Sequence, residues 1–237
     1  GDLAGPFLKA LLWSFVFAAA SVLSTFALGL ILGLVFADKR IKGRKIYQSL
    51  MILPYAFPAF LATLVWKGML NTDFGLINQV FLRGASIPWL TDGLLAKFSI
   101  LGVNLWLGFP YMFLISTGAL QAIPSELTEA AIMDGCSPWQ IIREVFMPLL
   151  WPALVCTGLL AFIAAWNEFL FALTFIIDDS ERTVPVSISL LSGASKYDIP
   201  WGKIMAASVI VTLPLIALVV AFQKKIVSGL TAGAVKG

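Results

Sequence analysis

The groups in this chain that could do chemistry are few, and their spacing suits recognition better than bond making. Asn104, Gly108, Tyr111, Ile115 and Gly118 recur at helical intervals in one apolar run, so they share a face. An amide and a phenol on such a face can hydrogen-bond and stack a solute. They are expected to point into a bundle, because polar side chains are costly in lipid. A later apolar run repeats the arrangement with Ala161, Ala165, Glu168 and Ala172 on one face and Asn167 beside it. Glu168 is the one acid expected inside a span, and an intramembrane carboxylate reads as functional by default. The competing structural reading has it shallow enough to reach water, or paired with a lysine such as Lys203.

Hydrolytic and redox chemistry find no constellation. The sequence holds no Walker loop, nucleophile elbow, HExxH or dinucleotide fingerprint. It has no histidine, which removes the commonest metal ligand and proton shuttle. Cys136 and Cys156 stand outside any CxxC or Cys/His cluster and read as unpaired thiols. The chain is expected not to be an enzyme and not to hold a metal.

The elements that must position these groups are membrane helices. Of 237 residues, 59% are hydrophobic and 12% charged, against about 25% charged in soluble domains. Five apolar runs, near 11–37, 46–66, 98–120, 149–177 and 204–222, suffice to cross a bilayer, which takes roughly 20 helical residues. Each must be helical, because open strands leave backbone groups unpaired in lipid. In the first, Ser21, Thr25, Gly29 and Gly33 place small residues on one face, the pattern that lets helices approach closely. In the second, Pro54 and Pro58 predict a kink, either a hinge or simply tolerated.

Lys39, Arg40, Lys42, Arg44 and Lys45 mark the loop 38–45 as cytoplasmic. Counting spans puts 125–148 and Lys224, Lys225 and Lys236 on that side, with the N-terminus and the loops 67–97 and 178–203 outside. The outer loop 67–97 carries turn chemistry in NTDFG and interfacial aromatics in Ile87-Pro88-Trp89. A net charge of +3 is small and placed as membrane topology wants it, so nucleic acid is not implied. The sequence opens on Gly1, with no cleavable signal visible.

Between the third and fourth spans, 125–148 reads helix, stop, helix. Glu126 and Glu129 suit the positive end of a helix dipole. Leu127, Ala130, Ala131 and Asp134 follow at helical spacing, and Gly135 is placed to end the helix in a left-handed cap. Ser137, Pro138 and Gln140 read as N-cap, first helical residue and the return half of a capping box. Pro148 marks the handover to the next apolar run.

Glu129-Ala130-Ala131, with Gly135 and then Val145-Phe146-Met147-Pro148, resembles the EAA motif of binding-protein-dependent ABC importer permeases. Val145 stands for the family's Ile and Met147 for its Leu. The resemblance implies that this elbow is a coupling helix docking into a cleft of a cytoplasmic ATPase subunit. Glu129 and Asp134 would anchor it, Ala130 and Ala131 belong to the motif, and Gly135 permits the bend.

From Gly43 to Pro148, through LPYAFPAFL, FGLIN, NLWLGFPYMF and AIPSELTEAAIMDG, the chain looks like the larger permease subunit of maltose- and trehalose-type importers. There the segment matching Leu107, Gly108 and Tyr111 contributes to a sugar site, as does the span matching 161–169. This sequence departs from that pattern with AWNEF, so Asn167 and Glu168 stand where the maltose protein is asparagine-rich. From Trp166 onward, WNEFLFALTFI, TVPV, IPWGKIMAAS and the closing GLTAGAVKG are similar to the smaller subunit, whose tail runs onto the ATPase pair. The usual core has six spans against five here, so a mixed lineage, or a designed or chimeric chain lacking its first span, is expected.

The resemblance implies an all-α integral membrane protein, one permease domain over 1–237, in a bacterial or archaeal cell membrane. It would pass a maltose- or trehalose-like oligosaccharide delivered by an extracytoplasmic binding protein. Its partners would be a second permease subunit, an ABC ATPase dimer and the lipid bilayer. ATP and Mg²⁺ would sit on the ATPase, with no cofactor on this chain. The alternatives are a permease for glycerol phosphate or polyamine, or a non-transporting helical scaffold.

Overall fold

The computed structural model describes residues 4–37, 40–178, 181–191 and 199–234, with side chains between Gly5 and Gln223. It is all-α, with no strand among the described residues, as an apolar chain that must satisfy its own backbone requires. The elements are α1 (Ala4–Ala37), α2 (Arg44–Ile52), a 3₁₀ turn (Leu53–Ala56), α3 (Ala59–Met69) and α4 (Gly93–Gln121). An elbow of α5 (Ser125–Met133) and α6 (Pro138–Gln140) follows, then α7 (Met147–Trp166), α8 (Leu170–Phe175), α9 (Val184–Ser189) and α10 (Trp201–Ala234). Four helical stretches among the described residues are long and apolar enough to span a membrane, and the bent pair α2–α3 makes a fifth. Lys39, Lys236 and the side chains of Lys224 and Lys225 lie outside the described residues.

The bundle is organised on a seam between α1 and α4. Ser21 meets Asn104, Thr25 meets Gly108, Gly29 meets Met112 and Gly33 meets Ser116. The partner number rises with the α1 number at each step, so the two helices run parallel. The seam is possible because its α1 side is small. A Cβ on Gly33 would already stand 3.2 Å from the Ser116 Cβ. Parallel packing brings the basic stretch after α1 and the elbow after α4 to the same end of the bundle. Helix α7 runs antiparallel to α1, with Phe15 edge-on to Phe162 at 5.6 Å and Val22 3.8 Å from where a Gly158 Cβ would sit. Phe17, Ile100, Phe162, Trp166 and Phe175 fill the core between α1, α4, α7 and α8.

The second apolar run does kink at its prolines, by 92° between its two halves. Pro58 has no amide to donate and precedes α3 as its N-cap residue. The fourth run is one candidate span, Pro138–Phe175, which begins earlier than the expected 149 and carries a break inside it. A π-helical turn (Ile141–Phe146) carries α6 straight into α7, with Pro148 in the first turn of α7. There the amide of Met147 reaches back five residues to the Ile142 carbonyl. At the other end α7 stops at Trp166, and a new short helix begins at Leu170. Glu168 causes that restart: its carboxylate accepts the amides of Phe171 at 2.7 Å and Ala172 at 3.0 Å, donors that a helix start otherwise leaves unpaired.

The end opposite the elbow is knitted by side chains. Asn71 accepts the amides of Asp73 and Phe74, while fully buried Asn78 donates to Thr72 and Ile87 carbonyls and accepts from Trp89 Nε1 at 2.8 Å. Glu181 accepts from both Lys9 on α1 and Lys97 on α4. Lys97 also lies 4.7 Å from the Trp13 ring centroid. Helix α9 is pinned to α1 where the Val184 amide donates to Ser14 Oγ at 2.8 Å.

Candidate functional site

Two features combine exposure or hollowness with specific side chains: a cavity inside the bundle and the elbow at one end. The cavity, about 460 Å³, opens between α1, the 3₁₀ turn, α4 and α7. Its α1–α4 wall is polar, formed by Ser21, Thr25 and Asn104, and exists because Gly108 lacks a side chain. A Cβ at Gly108 would come within 2.9 Å of Thr25 Cγ2 and close the approach. Asn104 Oδ1 accepts the Ser21 hydroxyl, and Thr25 Oγ1 donates to the Ser21 carbonyl at 2.7 Å. The opposite wall, Leu160, Ala161, Ala164 and Ala165 of α7, is apolar and mostly small.

Two phenols complete the lining. Tyr111 comes from α4 and Tyr55 from the 3₁₀ turn, with ring centroids 6.1 Å apart and planes only 21° from parallel. Aromatic faces bind the C–H face of a ring, while hydroxyls and amides satisfy its polar rim. No charged side chain lines the cavity among the described residues.

Of the residues expected at a solute site, the cavity gathers Gly108 and Tyr111. The others lie outside its lining. Leu107 packs against the apolar core. Asn167 is exposed, and its Nδ2 donates to the Ile163 carbonyl at 2.8 Å. Glu168 is engaged in the cap of α8. Of the cavity's other lining groups, Asn104 is expected from the sequence on the face of Tyr111, whereas Tyr55, Ser21 and Thr25 carry no expected site role. The proline-bounded LPYAFP was the available signal for Tyr55: prolines break the helix there and turn the phenol toward α4.

The elbow follows its sequence closely. Helix α5 ends at Gly135, whose φ of 79° is left-handed. The amide of Gly135 bonds the Ile132 carbonyl and that of Cys136 the Ala131 carbonyl, both at 3.0 Å, the double bond of a Schellman end. Ser137 and Gln140 then close a capping box. Glu129, Ala130, Asp134 and Gly135 are exposed, while Ala131 is buried. The elbow presents large apolar side chains to the outside: Met133 at 86% exposure, Trp139 at 69% and Ile132 at 58%.

The family described as binding-protein-dependent transport system inner membrane component matches residues 26–231. The maltose/maltodextrin transport system permease protein MalF of Vibrio vulnificus (strain YJ016) is 42% identical over 166 residues, covering 69% of this chain and 32% of that protein. MalF of Escherichia coli (strain K12) is 37% identical over 166 residues, with the same coverage. The chain thus spans about a third of the length of these curated relatives.

Among solved structures, a bacterial ABC transporter involved in the import of the acidic polysaccharide alginate superposes with a TM-score of 0.80 at 18% identity, covering 92% of this chain and 78% of that one. The MetNI methionine ABC transporter, in inward-facing conformations, gives 0.65 at 16% identity, covering 94% and 95%. At such identities the likeness is one of fold.

Proposed function

The chain belongs to the family of binding-protein-dependent transport system inner membrane components, and from that premise we propose that it is a permease subunit of an ATP-driven importer whose cargo is a neutral sugar. The observation that carries the cargo assignment is the cavity, where stacked Tyr55 and Tyr111 face an uncharged lining with Ser21, Thr25 and Asn104 as hydrogen-bonding groups. An oligosaccharide of the maltose or trehalose kind offers ring faces to the phenols and hydroxyls to the polar wall. Glycerol phosphate or polyamine would bring a charge that no lining group compensates. The similarity to maltose/maltodextrin permeases supports the same class.

In this reading the elbow docks on a cytoplasmic ATPase dimer, with Glu129 and Asp134 flanking the apolar tip and Gly135 fixing the bend. ATP and Mg²⁺ belong to the ATPase. A cytoplasmic position for the elbow end of the bundle is supported by its basic stretch through the positive-inside rule. The opposite end, with the Asn78-braced loop, then meets an extracytoplasmic binding protein. A second permease subunit completes the pathway. Closure of the ATPase moves the elbow, and the bundle tilts so that the cavity faces alternate sides.

The test is sugar-stimulated ATP hydrolysis by the chain reconstituted with a maltose-type ATPase, binding protein and second permease. Tyr111→Ala is expected to lower sugar uptake while recovery of the ATPase on the tagged chain is unchanged. Unaltered uptake in that variant would remove the cavity from the transport path.

A further inference from the structure

The loop between α3 and α4 carries large apolar side chains in the open: Phe74 and Phe81 are each 73% exposed, and Val80 is 62% exposed. Leu76, Val80 and Phe81 fall on one side of a π-helical turn (Ile77–Phe81), whose backbone repeats every five residues. The other side is fixed from within. Fully buried Asn78 holds the Thr72 and Ile87 carbonyls, and Gly75 packs so closely on the Asn71 carbonyl that a Cβ has no room. The exposed rings are therefore displayed by a braced loop.

Its depth follows from its ties to α4. Lys9 of α1, Lys97 of α4 and Glu181 meet in one charged layer. Charges are costly in lipid, which puts the edge of the hydrocarbon at that level. Lys97 is four residues, or about 6 Å, into α4. The loop hangs beside this layer and not above it: Ser99 Oγ, half a turn deeper, donates to the Trp89 carbonyl at 3.2 Å. Trp89 Nε1 in turn donates to Asn78, which ties the π-helical turn to the same depth. Leu70 and Leu90, at the two ends of the loop, are buried in one cluster with Ala96 and Ile100 of α4. Asp73 and Arg83, both exposed, bound the apolar stretch on either side. Apolar side chains with a charged rim at this depth suit the boundary between headgroups and lipid chains.

We propose that residues 74–81 are an in-plane membrane anchor, with Phe74, Leu76, Val80 and Phe81 among the lipid chains of the leaflet at the end opposite the elbow. The inference rests on the reading of the chain as a membrane permease. A binding protein seated beyond the charged layer does not reach these rings, so it sits beside the loop.

The test is spin-label accessibility in vesicles of equal parts phosphatidylcholine and phosphatidylglycerol. Phe74→Cys, Val80→Cys and Phe81→Cys are labelled singly in a chain carrying Cys136→Ser and Cys156→Ala. All three positions are exposed, so labelling leaves the Asn78 brace in place. Oxygen concentrates among lipid chains, whereas a nickel chelate stays in water. Each label is expected to collide more with oxygen than with nickel, as at Leu213→Cys on α10 and opposite to Asp134→Cys on the elbow. Nickel-dominated collisions at all three positions, with Leu213→Cys still reading as lipid, overturn the proposal. Nickel-dominated collisions at Leu213→Cys as well would sink the reading of the chain as a membrane permease. Nickel access at the three positions that is lost on adding a maltose-type binding protein would reassign the rings to protein docking.

Discussion

Gly29 of α1 and Met112 of α4 meet almost backbone to backbone: a Cβ on Gly29 would stand 2.6 Å from the Met112 Cβ and 2.7 Å from its carbonyl carbon. Neither neighbour is a flexible side-chain tip, so nothing can yield cheaply. Gly29→Ala is therefore expected to force α1 off α4 and to cost about 1–3 kcal/mol, the usual range for overpacking. Thermal unfolding in detergent measures it. Gly118→Ala on α4, with nothing within 4 Å of the added carbon, is the control and should be neutral or slightly stabilising. Equal melting temperatures for Gly29→Ala and the parent would mean that α1 and α4 can part at this point without cost.

Gly135 poses the opposite case. Space around it is open, but its φ of 79° is one that L side chains adopt reluctantly. Gly135→Ala should cost about 1 kcal/mol through backbone strain alone. Gly135→Asn should cost less, since asparagine tolerates the left-handed region. Hydrogen exchange at the Gly135 and Cys136 amides, which bond Ile132 and Ala131, reads the loosening directly. Protection in Gly135→Ala equal to the parent's would show the helix end can form without the glycine.

These two glycines show what the sequence can and cannot announce. Gly135 was legible because it sits between local signals, with α5 before it and the Ser137–Gln140 box after it. Gly29 was legible as one of a small-residue stripe, yet its partner was not, because pairing with Met112 depends on the register of two helices far apart in sequence. The cavity was half legible for the same reason. Tyr111 and Gly108 share a helix face with Asn104, but Tyr55 arrives from a turn after a 92° bend. The break at Asn167 was missed because hydropathy continues through it. Only the hydrogen bonds of Glu168 reveal where one helix stops and the next begins.

Glu168 can be assigned by substitution. If its role is to start α8, Glu168→Ala leaves the Phe171 and Ala172 amides without their acceptor and costs about 0.5–2 kcal/mol, the usual loss for an N-terminal cap. Glu168→Gln keeps an acceptor oxygen and should recover most of that stability. Sugar uptake per folded molecule should then be unchanged in Glu168→Gln. A large fall in uptake with normal melting behaviour would instead make the carboxylate part of the solute path.

The last expectation concerns pH at the far end of the bundle. Hydrogen bonds from Lys9, and then from Lys97, hold the Glu181 carboxyl below its ordinary range. A depressed folded-state value means the ionised form favours the folded chain. The stabilisation is complete at neutral pH and is lost as pH falls below the ordinary glutamate range and through the lower folded-state value. Glu181 and Lys97 are both mostly covered, with 18% and 19% of their side chains exposed, whereas Lys9 is 53% exposed. Lys97 is therefore the less screened partner and should carry more of the effect. Melting temperatures of the parent and Glu181→Gln, measured from neutral to acidic pH, should converge as the pH drops. Lys97→Met should close more of the gap than Lys9→Met. Parallel curves for parent and Glu181→Gln across the whole range would show that the two lysines do not act on Glu181 in solution.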